Sequence, residues 1–382
     1  MIQMSRVRET SITIEKEDTA PDKNDNIPLM TEKEEEEDFN KYCSGYEFFP
    51  SVLPAKRRII CIGDIHGDYQ MTLDCLKLAK VIDDDLNWIG EDTVIVQIGD
   101  QVDRCRPMMY KCDDPRATLN DEGSDIKIMK LFTELHTKAI KSNPDAGVYS
   151  LLGNHELMNV IGNMNYVSYE GLEQFNDYKD PKNPKLKFNS GKDARIHAFA
   201  PGNEYGKFLG CTRLSAMIIG NNIFVHAGII PEFLERANIK GRNNIKSINS
   251  GVRQWLLGKI NKNDVSKIVD SFKNSMFWTR VLGSIPPGVN NEDPECSKYL
   301  EPVLKLLRVG HMIVGHTPQF YANKDGVNAS CGDALWRVDN GSSKAFDKFD
   351  MGVESEGKKM LNRRIQILEI LNDNTFNVLK ME

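Results

Sequence analysis

Short apolar runs alternate along this chain with segments whose apolar residues recur at helical spacing. From Lys56 onward, five runs have the length and composition of β-strands, namely Arg57–Ile62, Thr93–Asp100, Gly147–Glu156, Asn221–Ile229 and Gly310–Pro318. Between them, Tyr69–Ile82 and Ile126–Ile140 place apolar residues three and four positions apart, which predicts amphipathic helices. The C-terminal segment predicts further strands and a hairpin. This alternation predicts an α/β fold, with residues 56–382 as one domain.

Each of the five predicted strands ends at a small residue beside Asp, Asn or His. The polar residues at these ends are Asp64, His66, Asp100, Asn154, His226 and His316. The carboxyl ends of strands in α/β sheets line the crevice where ligands bind, so we expect these side chains to lie together. Any one of them could be a turn residue, a helix cap or a core histidine, but five such strand ends favour a shared site. Nitrogen and oxygen donors without cysteine suit manganese, iron, zinc or cobalt.

The first 46 residues differ from the rest in charge. Residues 1–40 hold 5 Lys and Arg against 12 Asp and Glu, while the whole chain has a net charge of −6, so the remainder is close to neutral. The run "TEKEEEED" repels itself, and we expect residues 1–46 to be a disordered acidic tail that could dock a partner. Nothing in the near-neutral remainder predicts nucleic-acid binding.

Apolar runs and cysteines bear on the location of the protein. No run approaches the roughly 20 apolar residues that span a bilayer, and the N-terminus has no apolar signal core. The eight cysteines lie far apart, without a compact framework. We therefore expect a cytoplasmic protein that binds no membrane and whose cysteines are buried or inert reduced thiols.

Five motifs in order carry a resemblance to a known family. The motifs "GDIHGD", "GDQVDR", "GNHE", "HAG" and "GHTP" resemble those of calcineurin-like metallophosphoesterases. More narrowly, "LLGNHELMN", "VHAGIIPEF", "VGHTPQ" and "WRVDNGSSKAF" are similar to the Shewanella-like branch of the phosphoprotein phosphatases. The resemblance covers about residues 56–380. It implies a metallophosphoesterase fold, a central β-sandwich flanked by helices, with the active site at the carboxyl ends of the strands.

The resemblance also implies a role for each matching residue in a site for two divalent metal ions. Asp64 and His66 would bind the first ion, and Asp100 would bridge to the second. The remaining ligands of the second ion would be Asn154, His226 and His316. Manganese is the favoured metal, with iron or zinc as alternatives.

The implied reaction is hydrolysis of a phosphomonoester on a protein by direct attack of a hydroxide held by both metals. His155 would protonate the leaving oxygen, Asp103 would orient that imidazole, and Arg104 would hold the phosphate through paired hydrogen bonds. One alternative is a dinucleoside polyphosphate hydrolase, or another small-molecule phosphohydrolase, with the same site. A second is a catalytically weak binding module whose acidic tail recruits partners.

Several polar residues near the motifs have more than one interpretation. Arg280 is a candidate second phosphate ligand or a surface arginine, and Arg195 belongs to a segment that could shape the substrate groove. Asp339 could bond a metal-binding histidine or cap a turn. Cys105 stands where many family members carry Gly, which reduces the backbone freedom of the residue after Arg104.

The remaining histidines and one long connection have no assigned chemistry. We expect His136, His197 and His311 to be structural or exposed. The segment Pro107–Asp125 is long for a connection and predicts a lid or rim beside the site.

Overall fold

A computed structural model describes residues 30–350 and 363–382 of the chain. The strands of this part are β1 (Val52–Leu53), β2 (Arg58–Ile62), β3 (Val94–Gln97), β4 (Gly147–Ser150), β5 (Ala216–Ile219), β6 (Asn222–Val225), β7 (His311–Val314), β8 (Asn328–Ser330), β9 (Leu335–Arg337), β10 (Gln366–Leu371) and β11 (Thr375–Lys380). All five predicted strands are thus confirmed, together with the C-terminal hairpin.

Helices precede and separate these strands along the sequence. They are α1 (Glu32–Tyr42), α2 (Tyr69–Leu78), α3 (Asp125–Ser142), α4 (Asn154–Val160), α5 (Tyr169–Glu173), α6 (Gly191–Phe199), α7 (Glu204–Thr212), α8 (Pro231–Arg236), α9 (Asn244–Leu256), α10 (Ser266–Val269), α11 (Val281–Ser284), α12 (Glu301–Leu307) and α13 (Gln319–Ala322). Short 3-10 helices cover Lys262–Val265 and Lys344–Phe346, and a π-helix covers Cys296–Leu300. Within the described residues, no helix is both long and apolar enough to cross a membrane.

The strands form two sheets. The first has the order β11-β10-β2-β3-β4, and its strands β2, β3 and β4 run parallel, with α2 and α3 as the crossover connections. The second has the order β1-β5-β6-β7-β9-β8, in which β6, β7 and β9 run parallel. The carboxyl ends of three parallel strands therefore come together in each sheet.

The two sheets pack face to face. Alternate residues of a strand point to opposite faces of its sheet, so one set of side chains contacts the other sheet and the other set contacts the helices. Ile59 and Cys61 of β2 belong to a buried core shared with Met217 and Phe224 of the second sheet. Ile60, between them, packs instead with residues of α2 and α3 on the outer face. The outer face of the second sheet packs against α7, α9 and α12. The predicted central β-sandwich flanked by helices is confirmed.

The prediction of disorder through residue 46 is wrong for helix α1. Thr31 caps this helix, and its acidic first turn faces the positive end of the helix dipole. Phe39 is buried against the domain, and the buried Glu35 accepts hydrogen bonds from the Ser51 side chain and backbone. The Asp38 carboxylate accepts a 2.7 Å hydrogen bond from Ser250. Acidic residues of the run thus have fixed polar partners, and helix α1 packs on the rest of the domain. Residues 1–29 of the predicted tail lie outside the described residues.

The prediction of reduced thiols is also wrong, for six of the eight cysteines. The disulfides join Cys43 to Cys211, Cys105 to Cys112 and Cys296 to Cys331. Spacing in the sequence did not reveal them, because two of the three pairs join distant segments. Cys61 and Cys75 are free and buried, as predicted. Disulfides are typical of oxidising compartments, so the cytoplasmic location stays a prediction that these bonds do not favour.

Candidate metal centre

The six strand-end residues meet where the two sheets present their carboxyl ends. Asp64 and His66 follow β2, and Asp100 follows β3. Asn154 follows β4 as the first residue of α4, while His226 and His316 follow β6 and β7. All six are buried. The predicted juxtaposition of six side chains from five strands is therefore what the structure contains.

Asp100 lies at the centre of this cluster. Its Oδ2 is 3.4 Å from Nε2 of His226 and 3.9 Å from Nε2 of both His66 and His155. Asp64 Oδ2 lies 3.9 Å from Nε2 of His66. A carboxylate oxygen surrounded in this way can be shared between two cations, which is the position the sequence predicted for Asp100.

The orientation of three imidazoles tests whether the residues fit metal ions. The outward ring nitrogens of His66, His226 and His316 donate to main-chain carbonyls, those of Val102 (3.3 Å), Ile98 (2.9 Å) and Trp278 (3.2 Å). Each ring therefore turns its other nitrogen inward, and this nitrogen is unprotonated in the neutral form of the ring. Metal-binding histidines hold their outer N–H in this way.

The inward nitrogens face oxygens rather than hydrogen-bond donors. Nε2 of His226 and Nδ1 of His316 lie 3.0 Å and 2.8 Å from Oδ1 of Asn154. Nε2 of His66 faces the carboxylates of Asp64 and Asp100. With neutral rings, lone pairs of nitrogen and oxygen face one another here, and a metal cation relieves this repulsion. At His226 a proton can do the same, because the charge of Asp100 outweighs the effect of burial and raises the pKa of this ring. The donor set therefore fits divalent metal ions.

The buried carboxylates give a second, electrostatic reason to expect metal ions at this site. Burial raises the pKa of Asp64 well above its usual value, and the charges of Asp339 and Asp100 raise it further. Burial also raises the pKa of Glu156, as does the charge of Asp100. The pKa of Asp100 itself is lowered, because His226 and His155 outweigh the effect of its burial. Cations at the centre would stabilise the ionised form of all these groups.

The backbone around the centre is unusual. His66, Asp100, Asp103 and His316 adopt φ values of 48°, 52°, 72° and 65°, in the left-handed region that residues with a side chain rarely occupy. Cys105 is not among the residues with positive φ, so it meets no strain from replacing Gly. Gly315 cannot be replaced without movement, because a Cβ there would lie 2.3 Å from Oδ1 of Asp64. Strain of this kind concentrates at functional sites.

His155 and Asp103 form a buried pair beside the centre, as predicted. Nδ1 of His155 donates to Oδ2 of Asp103 at 2.8 Å, which leaves Nε2 facing the cavity. The other carboxylate oxygen, Oδ1, accepts from Nδ2 of Asn159 at 2.8 Å. Asn159 is held in turn by Nε of Arg195, also at 2.8 Å. The imidazole is thus fixed with one nitrogen available for proton transfer.

Several residues support the site in roles that the sequence did not predict. Arg195 is buried beneath the His155–Asp103 pair and donates to Asp125 at 2.6 Å, so it does not shape a substrate groove. Glu156 accepts from the backbone N–H groups of Asp100 and Gln101 at 2.9 Å and 2.8 Å, and so holds the loop after β3. Its place in the motif "GNHE" was a signal for this role. The sequence around Asn159 and Asp125 contained no comparable signal.

The prediction that Arg104 holds phosphate is wrong for this structure. The Arg104 guanidinium is buried, and it donates to the carbonyls of Gly67 and Asn120 and to the carboxylate of Glu122 at 2.8–2.9 Å. Those bonds turn it away from the cavity. The segment predicted as a rim supplies Glu122 and Asn120, so it packs on Arg104 rather than over the metal centre.

The centre opens into a cavity of about 560 Å³. Its charged and metal-binding wall contains His66, Asp100, Asn154, His155, His316, Arg106 and Arg280, and its apolar wall is rich in aromatic rings, namely Tyr166, Trp278, Phe320, Tyr321, Phe346 and Phe349. Arg280 lines the cavity, which agrees with the first of its two interpretations, and its Nη1 donates to the carbonyl of His316 at 2.9 Å. Its role as a phosphate ligand stays a prediction.

The other residues with open interpretations have structural positions. Oδ1 of Asp339 accepts from the backbone of Gly341 at 3.0 Å, which is the turn cap rather than a bond to histidine. His136 is buried beside Phe49, His197 pairs with Asp180, and His311 packs on Phe376. None of these three histidines lines the cavity.

Comparison with known proteins agrees with this geometry. Residues 57–320 match the family model described as calcineurin-like phosphoesterase. An uncharacterized protein, R398, of Acanthamoeba polyphaga mimivirus is 36% identical over an alignment of 263 residues that covers 66% of this chain and 98% of that protein. Shewanella-like protein phosphatase 2 of Arabidopsis thaliana is 26% identical, over 79% of this chain and 75% of that one. The solved structure of a cold-active protein-tyrosine phosphatase of a psychrophilic Shewanella species has the same fold, with a TM-score of 0.56, 22% identity, and coverage of 87% of this chain and 83% of that one.

Proposed function

The chain belongs to the calcineurin-like phosphoesterase family, and from that premise we propose that it is a metal-dependent phosphatase acting on phosphomonoesters of proteins. The observation that carries the proposal is the set of inward-facing ring nitrogens of His66, His226 and His316, which lie opposite the oxygens of Asp64, Asp100 and Asn154. Divalent cations among them would accept electron pairs from both the nitrogen and the oxygen donors.

Two divalent cations fit this donor set, with Asp64 and His66 on one side of Asp100 and with Asn154, His226 and His316 on the other. We propose manganese, with iron or zinc as alternatives, because mixed nitrogen and oxygen ligands without thiolate suit these metals. When bound, such a pair lowers the pKa of water and offsets charge on a phosphate.

The side chains of the protein supply the rest of the proposed chemistry. Nε2 of His155 faces the cavity, where it can donate a proton to the leaving oxygen of a substrate. Asp103 holds the ring through Nδ1 and stabilises its protonated form. Arg280 adds a positive charge at the cavity wall.

A protein substrate is favoured by the relatives that are named as protein phosphatases. The aromatic wall of the cavity also suits a flat leaving group, such as the ring of phosphotyrosine. A dinucleoside polyphosphate would use the same metal centre, so the substrate comparison has to include it.

The proposal is tested on the purified full chain by metal analysis and a substrate panel. We expect two metal ions per chain and turnover of peptides with phosphoserine, phosphothreonine or phosphotyrosine in preference to diadenosine polyphosphates. Asp100→Asn should lose metal and activity together, because it removes the shared carboxylate. Asp84→Asn is the matched control, since the Asp84 side chain is 96% exposed.

Three outcomes would contradict the proposal in different ways. Fewer than two metals per active chain would remove the binuclear site. Preferred turnover of the dinucleotide would replace the protein substrate. Two bound metals without turnover of any phosphate ester would favour a binding module.

A further inference from the structure

Arg106 supplies the positive charge at the cavity that the sequence assigned to Arg104. The two residues are separated by Cys105 only, yet Arg106 lines the cavity together with His66, Asp100 and His155, and Arg104 does not. A position two residues beyond the familiar motif therefore presents its guanidinium to the metal centre.

The Arg106 side chain is held in place from two directions. Its Nη1 donates to the carbonyls of Asp103 and Cys105 at 3.0 Å and 2.9 Å. Its guanidinium lies 4.6 Å from the ring centre of Phe346 and 5.9 Å from that of Tyr166, so it sits between two aromatic side chains. A guanidinium held in this way is arranged before any ligand arrives, and little side-chain freedom remains to be lost on binding.

The two aromatic rings also connect Arg106 to the reacting groups. The Phe346 ring centre is 5.6 Å from that of His66, and the Tyr166 ring centre is 5.0 Å from that of His155. Arg106 therefore shares one aromatic neighbour with His66, a metal-binding candidate, and another with His155, the proposed proton donor. All three residues line the same cavity, which is where a phosphate between the metals and His155 would lie.

The loop after Arg106 is closed by a covalent bond. The disulfide Cys105–Cys112 joins the residue before Arg106 to a buried cysteine seven positions on. The Cys105 backbone N–H also donates to the carbonyl of Tyr166 at 3.0 Å. These two constraints fix the backbone from which Arg106 projects.

Arg106 also has unused hydrogen-bonding capacity. Within residues 30–350 and 363–382 it has no carboxylate ion pair, and its hydrogen bonds all come from Nη1. Arg104 differs at its terminal nitrogens, which both donate to Glu122 or to carbonyls, and only its buried Nε has no partner among the described residues. Arg106 lines the cavity and leaves both Nε and Nη2 available to a ligand there.

We propose that Arg106 binds the phosphate group of the substrate, donating from Nε and Nη2 to oxygens that are not displaced in the reaction. Two parallel N–H groups match the spacing of two phosphate oxygens. The inference rests on the proposed phosphatase function for its substrate, and it assigns the phosphate-binding arginine that the family motif misplaces in this chain.

The test measures phosphate binding separately from turnover. Inorganic phosphate is titrated calorimetrically into metal-loaded full-length protein, as wild type, Arg106→Gln and Arg106→Lys. Loss of charged hydrogen bonds should weaken the phosphate Kd of Arg106→Gln about 10- to 100-fold. Arg106→Lys should recover part of this loss, because it keeps the charge without the paired donors. Metal content should be the same in all three proteins.

Arg116→Gln is the matched control from the same loop. Arg116 is 67% exposed, pairs with Asp114 and does not line the cavity, so its phosphate Kd should equal that of the wild type. Arg104→Lys tests the rival assignment. We expect lower thermal stability but an unchanged phosphate Kd for this variant, because Arg104 braces the loop.

The outcomes separate the inference from the proposed function. An unchanged phosphate Kd in Arg106→Gln overturns the inference. So does weaker phosphate binding by folded Arg104→Lys together with an unchanged phosphate Kd in Arg106→Lys. If Arg106→Gln does not fold, Arg106→Lys decides, since equal binding by the lysine variant and the wild type excludes a paired contact. Weakened phosphate binding in a protein that hydrolyses no phosphomonoester would support the inference while refuting the proposed function.

Discussion

Replacing Asp103 by Asn should slow hydrolysis of esters with poor leaving groups and leave esters with good leaving groups nearly unaffected. Asp103 is fully buried and accepts the Nδ1 proton of His155 at 2.8 Å. Asn has the same shape but no charge, and its one acceptor oxygen can serve either His155 Nδ1–H or Asn159 Nδ2–H, not both. The variant therefore removes the electrostatic support of the protonated imidazole together with one of these two hydrogen bonds.

The size of the effect follows from that one bond. A hydrogen bond to a charged group contributes about 1.5–3 kcal/mol, and second partners of site histidines typically change activity about 10- to 100-fold. We expect a loss within that range in kcat for a phosphoserine peptide, whose alkoxide must be protonated as it leaves. p-Nitrophenolate leaves without a proton, so kcat for p-nitrophenyl phosphate should fall by less than roughly threefold.

The assay compares both substrates with wild type, Asp103→Asn, His155→Asn and the double variant. If Asp103 acts only through His155, the double variant should be no slower than His155→Asn, because the two residues work as a unit. Asp84→Asn again controls for a surface charge change. Equal losses on the two substrates, or additive losses in the double variant, would refute the role of Asp103 as a support for a general acid.

Three further predictions concern the disulfides and the stability of the fold. Alkylation of the unfolded, unreduced protein should modify two of its eight cysteines and reduction should expose all eight, so a higher count before reduction would contradict the disulfides. Cys43→Ser should lower the free energy of unfolding by up to about 5 kcal/mol, because the bond to Cys211 closes a loop across a separation of 168 residues, and denaturant titration should show this difference vanish under reducing conditions. Burial lowers the pKa of His136 from 6.5 to about 4, so its contribution is complete above pH 6.5 and is lost as the pH falls towards 4, by up to roughly 3 kcal/mol; unfolding of His136→Gln should lack this part of the pH dependence.

The candidate metal ligands could be predicted because every one of them follows a strand that the sequence marks clearly. The apolar run Ile59–Ile62 specifies β2, and Gly63 and Asp64 must then lie just beyond its carboxyl end. The same reasoning places Asp100 after β3 and His226 after β6. The relative positions of strand ends can be predicted from the sequence with little ambiguity, because a parallel sheet aligns them.

The orientation of loop side chains is harder to predict from the sequence, and Arg104 shows why. Asp103 has a φ of 72°, and this left-handed residue changes the direction of the chain just before Arg104. The side chain of Arg104 then meets Glu122, which is distant in the sequence and belongs to no motif. Whether position 104 or 106 faces the cavity depends on such long-range partners, so a motif alone could not decide it.

Helix α1 failed as a prediction for a related reason. A run of acidic residues predicts disorder when its surroundings are water, but Glu35 meets Ser51 and Asp38 meets Ser250. The partners of Asp38 lie in α9, more than 200 residues away in the sequence. Local charge composition carries no information about contacts of that separation.

The carboxyl groups buried around the metal centre favour cations as its occupant. Asp64 and Glu156 are buried carboxylates whose pKa values are raised by burial and by neighbouring charge. Asp339, nearby, has its pKa raised to about 6, and its Oδ2 has no hydrogen-bond partner among the described residues. Left-handed φ angles at His66 and Asp100 add backbone strain. Carboxylates that are buried together are costly to ionise, and positive charge from metal ions would favour their ionised forms.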